Sequence, residues 1–264
     1  MAGLAIIGVY ILLAVAGPLI ASYDPEGLAL NVRLAPPSMQ HWLGTDSFGR
    51  DVLSRILWGA HITIGMAAAG TLCGLVGGVP IGLFSGYLGG RTDEAVMRAM
   101  DVIMSFPALL LALLVVAIIG GGSLTAVASV GIVFTPKVAR VVRGVVLDLR
   151  VAPFVKSAVA RGESRGYILF REILPNLWPP IIVEACIRMS YAVILFVSLS
   201  YLGLGAQPPA PEWGLMVSRE GQYLLLAPWA VLSPAAFIVV FIIGVNLLGD
   251  GLGQLLVARS ADHD

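Results

Sequence analysis

Long apolar runs recur along this chain, separated by short polar interruptions. The first, Gly3–Ala21, meets no charge until Asp24. A helix that crosses a bilayer needs ~20 mostly apolar residues, so this run predicts a spanning helix. No Lys or Arg precedes Arg33, whereas a cleaved signal peptide carries a basic start and a shorter apolar core. The run is therefore read as a retained helix. Further spans are predicted over His61–Leu88, Val102–Gly122, Ile181–Gly205 and Leu224–Gly249. Between the third and fifth, another begins near Leu124 and meets Lys137 well short of a full crossing. It is read as a helix that continues out of the membrane, with Lys137 and Arg140 snorkelling toward headgroups. The pattern predicts an all-α, polytopic membrane protein of about six spans.

Composition strengthens this reading. Of 264 residues, 58% are hydrophobic and 12% charged, against ~25% charged in a soluble domain; mean hydropathy is +0.92. Such a chain cannot cover its own surface with polar groups, which excludes an ordinary soluble globular protein. Sixteen basic residues balance sixteen acidic ones, so net charge points to no nucleic-acid partner. Cys73 and Cys186 lie in apolar segments without C-x-x-C spacing, and the three histidines stand far apart. Both cysteines read as packing residues, and no metal site is expected.

The placement of charge orients the chain. Eight basic residues (Lys137, Arg140, Arg143, Arg150, Lys156, Arg161, Arg165, Arg171) fall in one connection, beside Asp148, Glu163 and Glu172. The positive-inside rule puts this connection in the cytoplasm. Arg91 and Arg98 fall on the same side, and an even number of spans brings both termini there. Ser22–Ala60 and Ala206–Tyr223 then face outward with four basic and six acidic residues. The expected organisation is a first transmembrane helix over 1–22, an extracytoplasmic connection over 23–60, a core transmembrane domain over 61–249 that includes a cytoplasmic loop at 143–176, and a cytoplasmic tail over 250–264.

Glycine and proline punctuate the spans. Gly70, Gly74, Gly78, Gly82, Gly86 and Gly90 recur every fourth residue, a spacing that lets helix backbones approach closely in lipid. Four residues turn a helix by about 400°, so the stripe is expected to drift round the helix and serve more than one neighbour. A glycine-lined solute path is the sharper alternative. Glu184 and Arg188 form an acid–base pair at i and i+4 inside a span. They read as a structural pair, with gating or solute contact as the alternative.

The loop over 143–176 is too long for a turn. Phe154–Arg161 reads as a short helix, with apolar or small residues at Phe154, Val155, Ala158 and Val159, stopped by Gly162. A second stretch, Gly166–Ile173, is terminated by Pro175. Two readings stand on these residues alone: a protruding knob, or a helix lying on anionic lipid.

The run Lys156-Ser157-Ala158, then Gly162, then Leu174-Pro175 resembles the loop of permease subunits of bacterial ABC importers. In that family a Glu-Ala-Ala triplet precedes the glycine and the Leu-Pro pair at this spacing. Here Lys156 stands in place of the acid and Ser157 in place of an alanine. The strings HWLGTDSFGRDVLSR (His41–Arg55), SFPALLLAL (Ser105–Leu113), LGLGAQPPAPEWG (Leu202–Gly214) and NLLGDGL (Asn246–Leu252) are similar to the second permease of the dipeptide, oligopeptide and nickel importers. In those relatives polar, basic residues precede the first span, so the natural start is expected upstream of Met1.

The resemblance implies a type I ABC importer transmembrane domain. It also implies a homologous second permease, two cytoplasmic ATP-binding subunits or domains carrying ATP and Mg, and an extracytoplasmic substrate-binding protein. Peptides or a related small solute would be the cargo and lipid the surroundings, in a bacterial inner membrane. It assigns Val155, Lys156, Ser157, Ala158, Gly162, Arg165, Arg171, Leu174, Pro175 and Asn176 to ATPase coupling, and leaves the substrate path unassigned. No G-x-x-x-x-G-K-[ST] phosphate loop occurs, so no catalysis is expected from this chain and it holds no cofactor of its own. The rival from another class is an ion-coupled secondary transporter or channel using Glu184 and Arg188, although no internal repeat supports it.

Overall fold

The computed structural model describes residues 2–261. It is a helical bundle built from α1 (Ala2–Ile20), α2 (Val52–Leu88), α3 (Gly90–Met104), α4 (Ala108–Ile119), α5 (Ser123–Arg150), α6 (Pro153–Ala160), α7 (Arg165–Tyr167), α8 (Trp178–Tyr201), α9 (Trp213–Glu220) and α10 (Pro228–Ala261). Residues 168–173 form a π-turn and 174–177 a 3₁₀ turn. These weld α7 to α8 in one helical path, Arg165–Tyr201. Among the described residues the extended structure is a single bridge, Thr45 to Asp51.

Four helical paths are long and apolar enough to cross a membrane: α1, α2, Arg165–Tyr201, and Pro228–Leu255 within α10. A fifth is the pair α3 and α4, bent by 87°. The straight third span expected over Val102–Gly122 is thus broken. Pro107 bars the helical conformation to the residue before it and stands at the N-terminal boundary of α4. Ser105 Oγ meanwhile donates to the Val102 carbonyl at 2.7 Å, closing α3. At ~1.5 Å per residue α4 alone is ~18 Å long, short of the ~30 Å hydrocarbon core.

Helix α5 is not among the paths that qualify by length and composition, and packing decides its place. A Cβ built on Gly70, Gly74, Gly78 or Gly86 of α2 would meet Val130, Phe134, Val138 or Val146 of α5. Each pair is offset by the same sixty positions, so the two helices run parallel and side by side. What α2 crosses, α5 crosses too. The glycine stripe is therefore a packing seam, and it serves two neighbours, α5 along its length and α8 at Gly70. From Gly70 to Gly86 it faces α5, with Phe196 of α8 also touching at Gly70, while Gly90 meets nothing within 4 Å. The drift is absorbed because a repeat longer than 3.6 residues winds two helices round each other in a right-handed sense. The seam is reciprocal, since Gly131 of α5 takes in Cys73 of α2.

The remaining helices close round this pair. Gly3 of α1 abuts Leu248 of α10, and Gly244 of α10 abuts Ile6 of α1. Tyr10 Oη donates to the Phe237 carbonyl at 2.7 Å, and its ring sits edge-on to Trp213 and Phe237. Cys186 fills the space at Gly249. One apolar core, centred on Phe134, Phe196, Trp213 and Phe241, fills the middle of the bundle. A second, around Leu83, Val142, Ile173 and Leu177, sits at one end. Large apolar side chains on the outside of α1, α4 and α10, such as Val15, Leu114 and Val239, are left exposed.

Two expected boundaries move. Helix α2 begins at Val52, where Asp51 accepts a 2.7 Å bond from the Ser54 N–H and caps it. The predicted start at His61 missed this cap. The expected tail, 250–264, is helical through Ala261 as part of α10, and residues 262–264 lie outside the described residues.

Candidate functional site

The loop singled out in the sequence folds into an elbow at the end of the bundle where α2 and α5 finish. Helix α6 opens with Pro153 in its first turn, where a missing N–H costs nothing. It closes on Gly162 at φ +79°. The Glu163 N–H donates to the Ala158 carbonyl at 3.2 Å and the Gly162 N–H to the Val159 carbonyl at 3.0 Å. This is the paired terminal motif that a left-handed glycine permits. Ser164 then caps the next turn by accepting from the Tyr167 N–H at 3.2 Å.

The chain does not stop at Pro175, contrary to expectation. The π-turn over 168–173 shifts the hydrogen-bond register, with the Leu174 N–H reaching the Leu169 carbonyl. Asn176 Nδ2 donates to the Glu172 carbonyl at 2.7 Å. The backbone groups that proline would strand are handled locally, and the helical path runs on into α8.

Burial divides the ten predicted coupling residues. Val155 and Ala158 are buried and Leu174 half-buried, while Lys156, Ser157, Gly162, Arg165, Arg171, Pro175 and Asn176 are exposed. Phe154 and Val159, expected on the apolar face, point outward at 37% and 56% exposure. The buried side chains join Ile168, Leu169, Ile173 and Leu177 against Leu83, Val138, Val142 and Val146 of α2 and α5. At ~1.5–3 kcal/mol per buried aliphatic side chain, this seat is worth at most on the order of 10 kcal/mol. The elbow is clamped to the bundle by its own apolar face, which favours the knob over a helix lying on lipid.

Much of the basic charge is used internally. Arg143 makes a bidentate pair with Asp93, both bonds 2.6 Å, tying α5 to α3. Arg140 pairs with Asp101 on the same helix, so it braces α3 where snorkelling was expected. Arg150 Nη1 donates to the carbonyls of Gly86 and Tyr87 at 3.3 Å, closing the end of α2. Arg161 lies 3.7 Å from Glu163 and 3.4 Å from Glu172. Lys156, Arg165 and Arg171 make no ion pair among the described residues, and Arg171 rests over the Tyr167 ring at 5.8 Å. The exposed elbow thus presents three cations flanked by Phe154, Val159 and Phe170.

Glu184 and Arg188 are brought together as predicted, 2.7 Å apart and mostly buried. The Arg188 guanidinium lies over the rings of Phe134 and Tyr191. Their contact is an ion pair without hydrogen-bond alignment, since Glu184 Oε1 and Arg188 Nε find no directional partner.

The His41–Arg55 and Leu202–Gly214 strings carry the family resemblance, but the sequence alone attaches no role to their residues. The structure packs them together into a cap at the end opposite the elbow. Asp46 accepts from Arg50 Nε at 2.7 Å and lies 3.6 Å from Arg55. Arg55 also donates to the Pro25 carbonyl at 2.6 Å. Trp213 donates through its indole to the Ile56 carbonyl at 3.0 Å and through its backbone to Thr63. Glu212 caps α9 through 2.8 Å bonds from Gly214 and Leu215. Glu220 accepts from the backbone and hydroxyl of Ser47 at 3.0 and 2.8 Å. Burial holds both carboxyls above the usual carboxylate range. The available signal was the charge itself: acids and arginines at 46, 50, 51 and 55 beside apolar residues must pair if the segment is buried.

These features define a class: a multi-pass membrane bundle with an exposed basic elbow at one end and a polar cap at the other. The family of binding-protein-dependent transport system inner membrane components matches residues 78–262, and the N-terminal transmembrane domain of oligopeptide transport permease C matches residues 1–37. The chain belongs to this family of permease subunits of ABC importers, a transport component of the inner membrane.

It is 40% identical over 254 residues to a dipeptide transport system permease protein of Alkalihalophilus pseudofirmus, covering 96% of this chain and 84% of that one. It is 41% identical to a glutathione transport system permease protein of Pectobacterium atrosepticum, covering 94% and 84%. It is 38% identical to a probable D,D-dipeptide transport system permease protein of Escherichia coli, covering 95% and 84%. In fold it is similar to a chain of the inward-facing MetNI methionine ABC transporter, with TM-score 0.62, 17% identity, and 76% and 95% of the two chains covered.

Proposed function

We propose that this permease passes short peptides or a peptide-like solute, and that its elbow is the lever through which ATP-binding partners move it. The observation that carries the proposal is mechanical. The elbow is exposed on one side, clamped by apolar packing on the other, and continuous with α8 through Arg165–Tyr201. A path of 37 residues is ~55 Å long at 1.5 Å per residue. Force applied at Arg165 therefore reaches the cap along one helical path, and force applied at Lys156 or Ser157 enters that path through the packing of Val155 and Ala158 on Ile168, Leu169 and Ile173.

In this reading the elbow end and both termini face the cytoplasm, in keeping with the basic excess there. Two ATP-binding subunits supply ATP and Mg, and Lys156, Arg165 and Arg171 face acids on one of them. A homologous second permease completes the solute path. A binding protein delivers cargo to the cap, and the names of the dipeptide and glutathione relatives favour a peptide-like cargo. Closure of the ATPases rocks the bundle between inward-open and outward-open states.

The test is reconstitution of this chain with its partner permease, ATPases and binding protein in liposomes. ATP-driven uptake of a labelled dipeptide is expected, together with crosslinking of Ser157→Cys to an ATPase. Uptake driven by an ion gradient with no ATPase present would overturn the reading.

A further inference from the structure

The cap carries an open cleft of about 850 Å³, within the range of small-molecule sites, ~300–1,000 Å³. It lies where the last residue of α8, Tyr201, meets the end of α9 and the connection around Arg33 and Phe48. Two guanidiniums, Arg33 and Arg219, line it, and no lining residue is acidic. Among the described residues neither arginine is ion-paired. Arg33 is positioned by Tyr223, donating to its hydroxyl at 3.0 Å with the ring 5.6 Å away. Glu220, next in the chain to Arg219, is buried and committed to Ser47. The charge of this wall is therefore left uncompensated by the chain itself.

We infer that this cleft is a binding site for the carboxylate end of a small solute, such as the C-terminus of a di- or tripeptide. Arginine presents a planar fork of donors that matches a carboxylate. The Gln222 amide and Ser218 hydroxyl suit a peptide bond, and Phe48 and Tyr201 offer apolar contact to a side chain. The Ser218 hydroxyl already donates to the Tyr201 carbonyl at 3.2 Å, which orients its lone pairs for an incoming N–H. The inference rests on the peptide reading above and adds where the solute is held. Because Tyr201 ends the helical path that begins at the elbow, an occupant bridging Tyr201 and Arg33 engages the far end of the lever.

The test uses the assembled transporter in lipid nanodiscs without its binding protein, at low ionic strength. Alanyl-alanine and its C-terminal amide serve as probes by equilibrium dialysis. The acid is expected to bind at least about tenfold tighter than the amide, a ~1.4 kcal/mol preference that shrinks as salt screens the charges. Arg33→Gln and Arg219→Gln should each remove most of that preference while the amide still binds. Equal binding of the two probes, binding of neither, or a preference that survives the double variant overturns the inference. So does a double variant that loses only the binding protein, which would make the surface a protein-docking face. ATP-driven uptake is scored separately. Uptake without acid preference sinks the cleft site and leaves the importer reading intact, while acid preference without uptake does the reverse.

Discussion

The α2–α5 seam makes a sharp prediction at Gly78. A methyl group added there would sit 2.5 Å from Val138 Cβ and 2.7 Å from the Thr135 carbonyl oxygen, where ordinary contact begins at 3.4 Å. Neither neighbour is the end of a flexible side chain, and Val138 is itself fully buried. Relief therefore requires the helices to part locally by up to about 0.9 Å. Overpacking of this kind costs ~1–3 kcal/mol, and two rigid contacts put Gly78→Ala at the upper end. The gain in helix propensity, ~1 kcal/mol, offsets part of it, leaving a loss of ~2 kcal/mol. Gly65, in the same helix, meets nothing within 4 Å, so Gly65→Ala should keep the propensity gain alone. The two variants should differ by ~3 kcal/mol, or ~6–12 °C in Tm for a chain of this size. Thermal unfolding of the purified chain in detergent, followed by circular dichroism, measures this directly. Equal Tm values would refute the claim that the glycine stripe is a close-packed seam.

Other outcomes follow from the same geometry. Gly162 has open space around it but φ +79°, so its constraint is the backbone. Gly162→Val should lose ~1–2 kcal/mol and uncouple ATP hydrolysis from uptake in the reconstituted complex, whereas Gly162→Asn should be milder; equal effects would argue against a conformational cause. Glu184→Met strands the Arg188 charge and should cost ~3–5 kcal/mol, while the double change with Arg188→Met recovers most of it, read by thermal stability in detergent. At the cap, burial raises the Glu220 carboxyl above its ordinary value of 4.5. The unfolded chain then releases this proton first as pH rises, so stability falls from about pH 4.5 upward until the folded group also ionises. Glu220→Gln keeps both Ser47 contacts and should flatten that part of the pH–stability profile; an unchanged slope would assign it to other groups.

Much of this molecule is legible along the chain because a bilayer reduces folding to a few local rules. Apolar length gives α1, α2, α8 and α10. Basic clustering marks the elbow, and Gly162 ends α6 where a left-handed residue is needed. The every-fourth-residue glycines announce close packing, and the spacing of Lys156, Gly162 and Pro175 carries the family resemblance. These features are fixed by residues near one another in sequence.

What the sequence could not give depends on partners far along the chain. Charge content argued against a full crossing by α5, and its contact with α2 at a constant offset of sixty positions decided the matter. Pro175 looked like a terminator, yet the π-turn and Asn176 carry the helix through it. The basic excess of the loop told nothing of which cations are paired. Asp93 and Asp101, on a different helix, neutralise Arg143 and Arg140 and leave Lys156, Arg165 and Arg171 to face outward. The cap and its cleft exist because residues near 47 and 220 meet in space. Helix formation in lipid is a local property of composition and length, whereas pairing of charges and helices is settled where the folded chain brings distant segments into contact.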